Sequence, residues 1–299
     1  TGATADQAFS LNVADSGVTG SSAKVVTVTN NTASSIAVTA NGTDNNVKLD
    51  SDASLLSVTV GGTGKLTLDL DATGNTAVAT FNGSAATGDL TLSNVAAATT
   101  TVKTGAGKDA FTLTATTKVT VDAGAGNDVV TLGSTVAAGS TVGLGDGNDQ
   151  LLSNSGAVAA STAASGSTPA AITTIDGGAG NDTLSGQEDG ADQTLDFVNG
   201  GAGDDSLLLG AGDYGNGGDG ADSFGLLDIQ AGDPPMQITD YNPSEDALIV
   251  LYDPAQHPDP QLSLETTAAG TTLLLDGVAL ANLANTAGLD LGSITLQAA

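Results

Sequence analysis

Short runs in which aliphatic and small polar residues alternate recur along the chain. In the first hundred residues they are AKVVTVTN (23–30), SSIAVTAN (34–41), SLLSVTVGG (54–62), KLTLDLD (65–71), TAVATFNG (76–83) and GDLTLSNV (88–95). A period of two puts one face of each run indoors and predicts short strands. Asn, Gly, Asp and Ser separate the runs, which is the rhythm of a solenoid or of a sandwich. The GGTGK turn at 61–65 carries Lys65 where later turns carry Asp, so residues 1–100 read as a metal-poor stretch of solenoid. An immunoglobulin-like sandwich is the alternative.

From residue 101 to 230 a second pattern is laid over the first. A turn of form GxGxD precedes each strand: TGAGKDAFTL, DAGAGNDVVTL, GLGDGNDQLL, DGGAGNDTLSG, NGGAGDDSLLLG and NGGDGADSFGL. The closing aspartates are Asp109, Asp128, Asp149, Asp182, Asp205 and Asp222, at spacings of 19, 21, 33, 23 and 17 residues. Each spacing near 20 has room for two strands and two turns, one coil of a parallel solenoid. The 33-residue gap holds SNSGAVAASTAASGSTPAA (153–171), which reads as a surface loop or a short Ala-rich helix. Six residues before the closing Asp stand Asp122, Asp176, Asn199 and Asn216, or else Lys103 and Gly143.

The glycines let the turn adopt angles other residues resist. They also expose carbonyls beside a carboxylate, and calcium is a hard cation that takes six to eight such oxygens. One such turn would merely reverse the chain. Stacked turns line the acids into a ladder with cations between neighbours. The expected ligands are Asp109, Asp122, Asp128, Asp149, Asp176, Asp182, Asn199, Asp205, Asn216 and Asp222. Carbonyls or close backbone approach would come from Gly124, Gly126, Gly145, Gly147, Gly178, Gly180, Gly201, Gly203, Gly218 and Gly220. Asp192, with Glu188 and Asp189, is expected to serve the opposite edge.

Charge sharpens this. Residues 1–118 hold nine acids and all six lysines, whereas residues 119–299 hold 25 acids and no Lys or Arg. Such a stretch repels itself unless cations compensate, and it argues against nucleic acid as a partner. Aromatic residues make up 3% of the chain and cysteine is absent. A thin solenoid core suits the first, and the second leaves calcium as the staple. No apolar run approaches the roughly 18 residues of a transmembrane helix. The opening residues, from Thr1, do not read as a secretory leader.

The turns resemble the GGxGxDxUx repeat of RTX proteins, most closely at Gly177–Ser185 and Gly200–Leu208. ITDYNPSEDALIVLYD (238–253) resembles the segment that closes many RTX domains, with Asp240 and Asp246 on its acids and Tyr241 on its aromatic. The resemblance implies an all-β parallel β-solenoid, the β-roll, with Ca²⁺ in its turns and export by type I secretion. The long spacing is most like that of bacterial RTX-type surface-layer proteins. Residues 231–299, which hold six of the seven prolines, then form a β-rich cap carrying the secretion signal.

No HExxH or GxSxG motif occurs, and the lone His257 reads as an exposed loop residue, so an enzyme is not expected. The expected function is a secreted calcium-dependent structural protein. It would assemble with copies of itself into a surface layer or filament, in possible contact with cell-surface polysaccharide, with AFSLNV (8–13) pairing to a neighbouring subunit. The alternatives are a module of a large adhesin and the carrier domain of an exported hydrolase.

Overall fold

The computed structural model describes residues 8–15, 25–29, 32–50, 54–71, 74–114, 117–133, 136–137, 139–153, 158–159, 173–186, 195–267, 270–284, 286 and 289–299. It is a parallel β-solenoid. The chain alternates between two sheets, so consecutive strands lie in opposite sheets and each strand pairs with the one a full coil later. Among the described residues the longer sheet has 14 strands and its companion 12. Residues 1–100 belong to the same solenoid: Ser35–Asn41 pairs in parallel with Ser57–Gly62, and that strand with Thr80–Ala86. The sandwich alternative is therefore set aside.

Alternation decides the core. Inward positions carry Val, Leu, Ile and Phe, from Ile36 to Val250, as one continuous cluster between the sheets. Two sheets in close apposition leave a thin layer, which medium aliphatic side chains mostly fill, with Phe81, Phe111, Phe224 and Tyr241 as its buried aromatics.

Three expectations are corrected. The strand Asp44–Asp50 was not anticipated, because Asn45, Asn46 and Lys48 hide its alternation. Asn45 is inward, but its amide nitrogen donates to the carbonyls of Asn41 and Lys65. The stretch from Ala8 to Ala14 folds back onto its own chain, pairing with Ser35–Asn41, and forms the first strand of the long sheet with one edge outward. Residues 262–284, whose sequence reads as a hairpin and a short strand with a small helix, hold no α-helix among the described residues. Leu262–Thr267, Gly270–Leu275 and Val278–Leu283 form an antiparallel meander that ends the long sheet. Thr295–Ala298 ends the companion sheet against Ala247–Tyr252.

Most of the 153–171 insert lies outside the described residues. Val158–Ala159 within it pairs with Val136–Ala137 as a small third sheet.

Candidate carboxylate ladder

Each GxGxD turn carries the chain from the long sheet to its companion, and successive turns stack. The stacking is tight enough to require glycine. A methyl group on Gly178 would meet the carbonyl oxygen of Gly145 at 2.0 Å, and one on Gly201 would meet that of Gly178 at 2.1 Å. Both have positive φ, +107° and +111°, where a side chain is strained in any case. The turn glycines are thus needed for the close approach of coils, whatever else the turns do.

The closing aspartates point inward and are almost wholly buried: Asp109, Asp128, Asp149, Asp182, Asp205 and Asp222 are 1–2% exposed. They form one hydrogen-bonded column. The amide of Asp109 donates to Asp128 Oδ1 (2.8 Å), Asp128 to Asp149 (2.7 Å), and Asp149 to Asp182 (2.8 Å). Asp182 donates to Asp205 (2.9 Å), Asp205 to Asp222 (2.9 Å), and Asp222 to Asp246 (3.0 Å).

The second carboxylate oxygen divides the column. At its ends that oxygen is satisfied: Asp109 Oδ2 accepts from Gly105 N, and Asp246 Oδ2 from Asn242 N. In the middle, Oδ2 of Asp128, Asp149, Asp182 and Asp205 is buried with no donor. Such atoms carry a desolvation cost of about 1–3 kcal/mol each, more when ionised. Carbonyls sharpen the problem. The space over the Cα of Gly177 is bounded by Asp182 Oδ2 at 2.4 Å and Gly200 O at 2.5 Å; over Gly200 it is bounded by Asp205 Oδ2 at 2.3 Å and Gly217 O at 2.5 Å. Oxygen faces oxygen there, and neither supplies a hydrogen.

The carboxyls respond by holding protons. Burial, reinforced by neighbouring carboxylates, pushes Asp128 up to about 7 and Asp182 to about 6. Asp109, Asp149 and Asp205 are raised by the same burial. A group in this state takes up either a proton or a cation. Among the described residues no three acidic or histidine side chains converge as a metal-holding group. A cation here must draw part of its shell from backbone oxygens.

Toward the N-terminus the same column changes chemistry. Counting from the stacked glycines, its positions are occupied by Asn45, Leu66 and Leu90, paired in register. Leu66 and Leu90 are fully buried, and Leu90 N donates to Asp109 Oδ1 at 2.7 Å. Lys65 is not the counterpart of the closing aspartate; Leu66 is. The turn geometry persists while the acid is replaced by a hydrocarbon plug.

Other expected site residues lie elsewhere. Asp122, Asp176, Asn199 and Asn216 are in register on the outward side of the long sheet. Their side chains face outward while the closing acids are buried, although Asp176 is near enough to Asp182 to help raise its pKa. Asp122 pairs with Lys103 at 3.0 Å, Asn199 donates to Asp176, and Asn216 donates to Thr239. Asp240 accepts from the amides of Gly217 and Gly218. Asp192, Glu188 and Asp189 lie outside the described residues.

Two features were missed. Asp213, in GAGDYG, is buried at the opposite edge, with its oxygens on the amides of Asp196 and Gly210. Burial pushes it up to about 7. The glycines beside it signal a tight turn, and only the coil register reveals which edge. His257 is the second: its side chain is 14% exposed, not free in a loop. Nδ1 lies 2.6 Å from Asp276 and Nε2 3.1 Å from Asp228, so the imidazolium joins the solenoid to the meander.

The Asp276 hydrogen bond raises the His257 pKa above its ordinary 6.5. A raised folded value means the bridge contributes fully below about pH 6.5 and is lost as pH climbs through that folded value. Amide protection in residues 262–283, corrected for the intrinsic rise of exchange with pH, is therefore expected to fall from pH 6 to pH 8, and His257→Gln to remove that fall. Equal pH dependence in the variant would show that the bridge does not hold the meander.

No family model, curated protein or solved structure matches this chain. Among the described residues no helix is long and apolar enough to cross a membrane.

Proposed function

We propose that the protein is an extracellular calcium-dependent structural β-roll, akin to RTX proteins and exported by the type I route. One observation carries the reading: four successive closing aspartates bury a carboxylate oxygen that has no donor. Oδ2 of Asp128, Asp149, Asp182 and Asp205, with carbonyls such as Gly200 and Gly217, would hold the ions between neighbouring turns. Calcium suits an all-oxygen shell of mixed carboxylate and carbonyl. The satisfied ends, Asp109 and Asp246, would bound the row.

The test is a count of ions. Calcium bound per chain is measured by equilibrium dialysis for the wild type, Asp128→Ala, Asp182→Ala and Asp109→Ala. The first two are expected to lose at least one ion each, and Asp109→Ala to keep more than they do. Unchanged stoichiometry in Asp128→Ala and Asp182→Ala refutes the assignment.

Assembly into a filament or layer is the proposed use of the roll. The first strand, Ala8–Ala14, has its inner edge on Ser35–Asn41; among the described residues nothing pairs with its outer edge. The meander guards the other end of that sheet. Contact between unlike ends is heterologous and does not close, which yields polymers. Calcium would screen the acidic surfaces that otherwise keep copies apart. Sedimentation across a calcium titration tests this, with residues 1–14 deleted as the comparison. Growth in the intact chain alone is expected. A chain that stays monomeric at millimolar calcium favours the adhesin-module alternative.

A further inference from the structure

The meander that ends the long sheet leaves a cavity of about 520 Å³ over the sheet's outward face. Its floor is a row of register partners on four adjacent strands: Tyr214, Gln237, Asn282 and Thr272. Thr239 and Leu283 complete the wall. The volume is ordinary for a small-molecule site.

Two properties of the lining restrict what fits. The first is charge. The chain carries a net charge of −28, yet among the described residues no acid or base lines this cavity apart from the Tyr214 phenol, Glu265 standing one strand beyond Thr272 at its edge. A charged ligand has no counter-ion there, and an anion would also meet the field of the whole molecule. The second is the pairing of one aromatic surface with amides and hydroxyls. Phe197 stacks on one face of Tyr214, with centroids 4.6 Å apart and planes 15° apart. That leaves the other face toward the Gln237 strand, held rigid from behind. Gln237 offers its amide oxygen and Asn282 its amide nitrogen; the Gln237 nitrogen already donates to the Pro235 carbonyl, and the Thr239 hydroxyl donates to Gly215 O and accepts from Asn216. Thr272 already donates to Asn282 Oδ1, which sets that amide's orientation.

A ring with an apolar C–H face and a rim of hydroxyls satisfies both conditions. Its face lies on Tyr214 and its rim meets the amides. We propose that this cavity binds a pyranose unit of a neutral polysaccharide. Adjacent space suits a chain rather than a single sugar. A second cavity of about 280 Å³ runs along the same sheet face beside Phe197, Asn199, Asn216 and one acid, Asp176, whose carboxylate accepts from the Asn199 amide. Phe197 is 42% exposed there, a large aromatic left in solvent on a chain poor in aromatics. Sugar units would extend along the solenoid axis, coil by coil. The inference goes beyond the calcium reading and does not rest on it; it would give the protein a cell-surface glycan as its second partner.

The experiment is saturation-transfer NMR at saturating calcium with cellohexaose, maltohexaose and N-acetylglucosamine hexamer, and alginate hexamer as the anionic control. Saturation is expected on ring protons of at least one neutral oligosaccharide and not on alginate. Tyr214→Ala is expected to weaken that binding about tenfold, with Tyr214→Phe close to wild type and Gln237→Ala intermediate. Circular dichroism of each variant confirms that the roll is intact. The proposal is overturned if no neutral oligosaccharide receives saturation, if alginate binds as well, or if a folded Tyr214→Ala binds like the wild type.

Discussion

Stripped of calcium at pH 8, the acidic coils are expected to unfold, and acidification to about pH 5 to restore them without metal. The sign follows from the ladder. Burial raises the folded pKa of Asp128 from 3.8 to about 7 and of Asp182 to about 6. A raised carboxyl contributes stability that is fully present below about pH 4 and is lost as pH rises through about 6–7. For Asp128 alone the shift corresponds to at most about 4 kcal/mol. Several coupled groups of this kind rival the whole stability of an ordinary domain, about 5–15 kcal/mol. His257 works in the same direction, since its bridge is also lost with rising pH. Circular dichroism in EGTA across pH 4.5–8.5 is the measurement. A β-rich spectrum that persists at pH 8 in EGTA would mean that the buried carboxylates do not need a cation.

The second large effect is expected at the stacked glycines. Gly201→Ala puts a methyl group 2.1 Å from the carbonyl oxygen of Gly178, in backbone that the next coil holds fixed. The coils must part or the chain must bend, at a cost above about 3 kcal/mol. Gly232 is the control. It has φ +107°, like Gly178, but nothing lies within 4 Å of a Cβ there. Gly232→Ala therefore reports conformational strain alone, about 1–3 kcal/mol at most. Urea unfolding in saturating calcium separates the two. Equal losses in both variants would show that close approach of coils is not what these glycines serve.

Much of this architecture is legible in the sequence because the repeat marks its own register. Gly178, Gly180 and Asp182 announce a turn, and Leu184 the inward position after it. What was illegible followed from positions without that marker. GGTGK puts Lys65 beside the ladder, and Leu66, without an acid to mark it, fills the ladder position. Asn45 masked a strand by being both polar and buried. Asp176, Asn199 and Asn216 stand six residues before the closing acids, and the turn between them leaves their side chains outward while the closing acids are buried. Asp213 and His257 owe their environments to contacts between coils, and to the meander in the case of His257, which spacing along the chain does not encode.

The exchange of leucine for aspartate along one column makes the central claim local. On the proposed reading, coils plugged by Leu66 and Leu90 need no ion, whereas coils closed by Asp128 to Asp205 would. Hydrogen exchange by mass spectrometry, with and without calcium at pH 7.5, reads each coil separately. Calcium is expected to protect peptides spanning residues 122–227 strongly, while peptides from residues 35–92 stay protected in both conditions. Equal protection of 122–227 with and without calcium, or a change no larger there than in 35–92, would contradict the calcium ladder.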